Sequence, residues 1–93
     1  MIKVMIERHV AADLGPHYDR LSRETLQRAM QAPGFISGEI LHNVADPNHR
    51  LVQATYRSVA DWERWHNSPE RREMMETLGP LLETEEKITI FEH

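Results

Sequence analysis

Apolar and polar residues alternate from Ile2 to Val10: Ile2, Val4 and Ile6 share one parity, and Lys3, Met5, Glu7 and His9 the other. A period of two predicts a β-strand. From Leu14 the period lengthens. Leu14, Tyr18, Leu21, Thr25 and Ala29 recur at spacings of three and four, and Leu26 and Met30 widen that stripe, so a helix is predicted. Asp13 is its expected N-cap, with Pro16 in the first turn and a Glu24–Arg28 pair on the wet side. Pro33-Gly34 stops it. A second strand is predicted from Phe35 to Val44 and a third from Leu51 to Arg57, with Asp46-Pro47-Asn48 as the type I turn of a hairpin. Ser58 is the expected cap of a helix carrying Trp62 and Trp65, with Asp61 in the capping-box position. Ser68-Pro69 reads as a fresh helix start, so this helical region is jointed. Met74, Met75, Leu78, Leu81 and Leu82 form the apolar stripe of the second piece, and Gly79-Pro80 ends it. Lys87 to Phe91 is the last strand.

The order strand, helix, hairpin, helix, strand predicts an α+β, ferredoxin-like βαββαβ fold with an antiparallel sheet and both helices on one face. Every strand also carries apolar residues of both parities: Ile2 and Met5, Ile40 and Leu41, Leu51 and Val52, Ile90 and Phe91. A sheet apolar on both faces needs cover on both, and a second copy of the chain is the simplest cover. A homodimer is therefore expected.

Composition narrows the function. The chain has 93 residues, read as one domain spanning 1–93, with 40% hydrophobic and 28% charged residues, a globular balance rather than a disordered one. A net charge of −4 argues against nucleic-acid or anionic-membrane partners, which need a basic surface. The absence of cysteine excludes a disulfide scaffold and a thiolate nucleophile, and fits a reducing, cytoplasmic setting. The opening apolar run is too short and too charged to serve as a signal peptide or membrane span. The six histidines show no zinc-ligand spacing, and the four glycines match no dinucleotide or phosphate loop. No metal and no cofactor are expected.

Pro33-Gly34-Phe35 followed by Gly38, the Asp46-Pro47-Asn48 segment, and Ala60-Asp61-Trp62-Glu63-Arg64-Trp65 leading to Ser68-Pro69-Glu70-Arg71-Arg72 resemble the antibiotic biosynthesis monooxygenase (ABM) domain family. The resemblance covers nearly the whole chain. It implies a dimeric α+β barrel, two ferredoxin-like sheets packed face to face, with a pocket in each protomer between sheet and helices. The family spans cofactor-free quinone-forming monooxygenases, haem-degrading monooxygenases and an isomerase of a small signalling ketone, so the fold transfers better than the reaction. The haem-degrading pattern needs a strand-one asparagine, a helix tryptophan and a histidine ten residues on. Those positions hold Glu7, Trp65 and Met75 here, which disfavours haem cleavage. In the quinone-forming pattern a polar amide precedes the tryptophan by one turn, and this chain has Asp61 there.

The resemblance thus points to a cofactor-independent monooxygenase of a small aromatic, phenolic or quinol substrate, with molecular oxygen as the second reactant. Trp65 would wall the pocket, and Glu7 or His9 would accept a proton if their strand face lines it. Met5, Trp62, Asp61, Met75 and Leu78 complete the expected substrate-binding set. Two other readings stay open: a non-enzymatic dimeric module for a small ligand, and an acid/base isomerase of a small carbonyl compound.

Overall fold

The computed structural model describes all 93 residues. In chain order it has β1 (Ile2–His9), α1 (Gly15–Ala29), β2 (Phe35–Asn43), β3 (Asp46–Tyr56), α2 (Val59–His66), α3 (Pro69–Leu78), a 3₁₀ turn (Gly79–Leu81) and β4 (Lys87–Glu92). The four strands form one antiparallel sheet in the order β2-β3-β1-β4, the ferredoxin-like arrangement predicted by the element order. No helix is long and apolar enough to cross a membrane.

The strand periods decide what lies on each face. Ile2, Val4 and Ile6 of β1 pack with Val52, Ala54 and Tyr56 of β3 and with Ala29, Trp62 and Trp65 of the helices in one buried cluster. This is the helix-covered face. Val10, Tyr18 and Leu81 form a second, smaller cluster at its end. Burying side chains of this size contributes about 1.5–3 kcal/mol each. Each mixed-parity pair splits across the sheet. Through the registers Met5↔Thr89, Lys3↔Phe91 and Leu41↔Leu51, residues Met5, Leu41, Leu51 and Phe91 share the open face. Lys3, Glu7, Glu39, Gln53 and Thr55 stand among them, so that face is mixed rather than continuously apolar.

The two caps of the jointed helical region form as the sequence suggests. The Ser58 side chain accepts from the Asp61 N–H, and Ser68 accepts from the Arg71 N–H. Gly34 is required twice over: its φ is +87°, and a Cβ there would meet the Asp61 carboxylate at 2.3 Å.

Four expectations are corrected. Asp13 does not cap α1; it sits at φ +68°, and Leu14 occupies the cap position with no side-chain bond. The buried stripe of α1 is Tyr18, Ser22, Thr25 and Ala29, while Met30 is 58% exposed beyond the helix end. Arg28 pairs with Glu70 of α3 at 3.0 Å rather than with Glu24. The hairpin turns at Val44-Ala45, and Asp46-Pro47-Asn48 lie inside β3. A register shift between His42 and Asn43 leaves Pro47 where no ladder N–H is needed, which is how a strand tolerates proline.

Candidate functional site

The seventh residue after Met1 breaks the inward pattern of β1. Arg8 shares the parity of Ile2, Val4 and Ile6 and is only 2% exposed. An arginine so placed needs an anion, because an unpaired buried charge is very costly. It finds Glu86, in the segment before β4: Arg8 Nε donates to Glu86 Oε2 at 2.9 Å. Arg71 of α3, 4% exposed, donates from Nη2 to the other oxygen, Oε1, at 2.8 Å. Arg8 also donates to the Tyr18 hydroxyl at 3.2 Å. Burial works against ionisation of Glu86, but the two guanidiniums and their hydrogen bonds outweigh it and hold the carboxyl below its usual range. Two cations and one anion leave a surplus positive charge inside the protein.

That charge faces a cleft between the sheet and the helices. Ile6, Val52 and Ala54 form its floor, and Thr25, Phe35, Trp62 and Trp65 wall it. Its polar lining consists of Arg8, Arg71, Ser22, Thr25 and Tyr56, with no carboxylate and no histidine. The Ser22 hydroxyl is buried without any hydrogen-bond partner. Burial pushes the Tyr56 phenol up to about 12, against the opposing pull of Arg71, so it remains a proton donor at neutral pH. The cleft is therefore rich in donors and has no free base. Phe35, Tyr56 and Trp62 pack edge to face at 5.4 and 5.5 Å, and Arg71 stacks over Trp62 at 5.7 Å. The room inside is about 30 Å³, enough for one or two water molecules.

Trp65 walls this cleft and also a more open groove of about 300 Å³ outside it, lined by Arg28, Asp61, Arg64 and Ser68. Trp65 is the one side chain the two share.

The residues singled out from the sequence thus separate. Trp62 and Trp65 line the inner cleft. Asp61 lies in the outer groove, held by Ser58 and by Arg64 at 3.2 Å. Met75 lines a third groove with His66 and Glu86, its sulfur 3.9 Å from Arg8 Nη2. Leu78 is fully buried and lines none of these spaces. Met5, Glu7 and His9 are on the open face of the sheet, away from both tryptophans. Arg8 is accordingly no partner for Glu7, because consecutive strand residues point to opposite faces. Glu7 instead lies 3.1 Å from His49 Nε2 and 3.8 Å from His9 Nε2.

Sequence reasoning missed Arg8, Arg71, Glu86 and Ser22 as site residues. For Arg8 the signal was present: a charge at an inward strand position. Arg71 stands beside Arg72 and between Glu70 and Glu73, with no local sign of burial, yet it alone of the four is buried.

The model of the antibiotic biosynthesis monooxygenase family matches residues 1–77. No curated protein matches the chain. Among solved structures, a protein of Nitrosomonas europaea assigned to the antibiotic biosynthesis monooxygenases superposes with a TM-score of 0.90 at 16% identity, covering 100% of this chain and 98% of that one. A conserved protein from Methanosarcina mazei gives 0.89 at 16%, covering 97% and 89%. SnoaB, a cofactor-independent oxygenase from Streptomyces nogalater, gives 0.86 at 14%, covering 99% and 92%. At these identities the likeness establishes the fold. The family match spans most of the chain, and the chain belongs to the antibiotic biosynthesis monooxygenase family.

Proposed function

We propose that this protein is a homodimeric, cofactor-independent monooxygenase that binds a small phenol, quinol or enol as its oxyanion. The observation that carries this reading is the surplus cation: Arg8 and Arg71 line the cleft while sharing one carboxylate between them. An ionised oxygen placed there would neutralise that charge and give Ser22 its missing partner. An opposite charge within a few ångströms lowers an acid's pKa by about 1–3 units, so the substrate would lose its proton to solvent without a protein base. Glu7 and His9 face the other way and are not needed for that step.

The resulting carbanion-like ring carbon is electron-rich enough to reduce oxygen. For an anthrone-type CH₂, the anion adds O₂ to give a hydroperoxide. Loss of water across the remaining C–H then leaves a carbonyl. The substrate supplies all the electrons, one oxygen atom enters the product and the other leaves as water. The protein's part is to hold the anion and keep water from its reacting face. The cleft has room for an oxygen atom but not for a ring, so the ring would lie against Trp65, which the cleft shares with the roomier outer groove. The family membership and the likeness to a cofactor-independent oxygenase support this chemistry. Met5, Leu41, Leu51 and Phe91 on the uncovered sheet face support pairing of two copies through that face.

The test is oxygen uptake by metal-stripped, flavin-free protein over a panel of hydroquinones, naphthols and anthrones. Uptake that falls in Arg71→Met and Trp65→Phe supports the reading. Saturable binding of the same compounds with no oxygen consumed would move the protein to the non-enzymatic, ligand-binding reading, which the same donor set also suits.

A further inference from the structure

The open face of the sheet carries a second cluster, independent of the cleft. The register between β1 and β3 sets His9 directly opposite His49, and their rings stack at 4.6 Å with planes 2° apart. Glu7, two residues before His9, projects from the same face. Its Oε1 lies 3.1 Å from His49 Nε2 and 3.8 Å from His9 Nε2, and one ligand atom from each of the three falls within 4.8 Å of the others. Lys87, the β4 residue in register with Glu7, makes no ion pair with it. We infer that Glu7, His9 and His49 form a site for a divalent first-row transition metal ion.

The donor set is two imidazoles and a carboxylate, the combination that suits zinc, nickel, copper or ferrous iron and leaves coordination positions open. Bonds of about 2.0–2.2 Å to one ion bring such ligand atoms to roughly 3 Å from each other. The Glu7–His49 distance already meets this. In the single chain the remaining closure asks only for side-chain rotation, because the three side chains are 31–46% exposed; in the homodimer proposed above the cluster lies at the His9–His49 end of the paired face. With neutral imidazoles the trio carries one negative charge, which favours a dication.

The surroundings of His49 make the inference specific. Asn43 Oδ1 is taken by the Ala45 N–H at 2.8 Å, so the Asn43 amide nitrogen is what faces His49 Nδ1 at 3.1 Å. Nδ1 then accepts, and the ring proton sits on Nε2, directed at Glu7. A metal ion on Nε2 displaces that proton and moves it to Nδ1, which then needs an acceptor in place of an amide N–H. Aspartate at position 43 would supply one and complete a carboxylate–histidine–metal relay.

Equilibrium dialysis of the untagged chain against Zn²⁺, with Co²⁺ absorption to report the ligand field, tests the site. We expect saturable binding of one ion per chain. His9→Ala, His49→Ala and Glu7→Gln should each weaken it by about tenfold or more, and Asn43→Asp should tighten it by roughly 10–100-fold. His42→Ala, in register with Arg50 on the helix-covered parity, should leave it unchanged. Circular dichroism confirms that each variant is folded. Absence of saturable binding, or binding that survives loss of His9 and His49, overturns the inference.

Discussion

Arg8, on the first strand, and Arg71, on the last α-helix, share a single counter-ion. Each donates to a different oxygen of Glu86, at 2.9 and 2.8 Å, and both guanidiniums are nearly inaccessible to water. The arrangement binds β1, α3 and the segment before β4 into one ionic node. It also leaves one positive charge without a partner in a cleft walled by aromatic rings.

The node predicts unequal costs for its members. Glu86→Gln leaves two buried cations with no anion and should cost about 3–5 kcal/mol. Arg71→Met leaves a neutral Arg8–Glu86 pair and removes the surplus charge, so its cost should be nearer 1–2 kcal/mol. Urea unfolding of the two variants compares them directly. Equal costs would mean that the charge imbalance does not matter to the fold.

Acid should destabilise the fold in two stages. His66 is held below its ordinary value of 6.5, first by burial and then by Arg71, against Glu86 and Glu63. The unfolded chain therefore takes up that proton first, and stability falls as pH drops below about 6.5 until native His66 is protonated too. Glu86, held below its ordinary 4.5, contributes fully above that value, and its contribution is lost as pH falls through the depressed one. The urea midpoint measured from pH 7.5 downward should fall in both windows, and His66→Gln should flatten the upper one. A midpoint that rises on acidification would contradict both assignments.

Trp65 divides the inner cleft from the outer groove. Trp65→Phe should enlarge the passage at a modest cost in stability and lower the yield of oxidised product by exposing the reacting face to water. Product analysis beside an oxygen electrode reads this. Unchanged turnover and product would place the substrate elsewhere.

Pairing through the open face predicts that Leu51→Glu, which puts a charge among Met5, Leu41 and Phe91, yields monomers while the helix-covered core is untouched. Light scattering at micromolar concentration distinguishes the two states. A wild-type monomer would end this reading of the open face.

Much of this was legible along the chain. The change of period from two to three and four gave the element order, and Ser58 and Ser68 marked the two helix starts that the structure forms. Trp65 was placed in the pocket by the family resemblance and Trp62 joined it one turn earlier on the same helix; both are buried and line the inner cleft. The ionic node was not, because Glu86 lies 78 residues from Arg8 and nothing local links them. The His9–His49 pairing was hidden for a different reason. A turn at Asp46-Pro47-Asn48 would leave His49 in or beside the loop, whereas the turn at Val44-Ala45 carries it into the ladder opposite His9. The strand-one parity was correct, and the burial of Ile2, Val4 and Ile6 with Ala29, Trp62 and Trp65 shows that this parity meets the helices, so Glu7 and His9 do not.

The most direct test of the oxyanion cleft is a spectrophotometric pH titration of nitrophenols bound to the protein. Binding beside Arg8 and Arg71 should lower the phenol's pKa by about 1 unit or more, and Arg71→Met should abolish most of that shift. A bound phenol whose pKa is unchanged or raised would mean that the cleft does not hold its ligand as an anion.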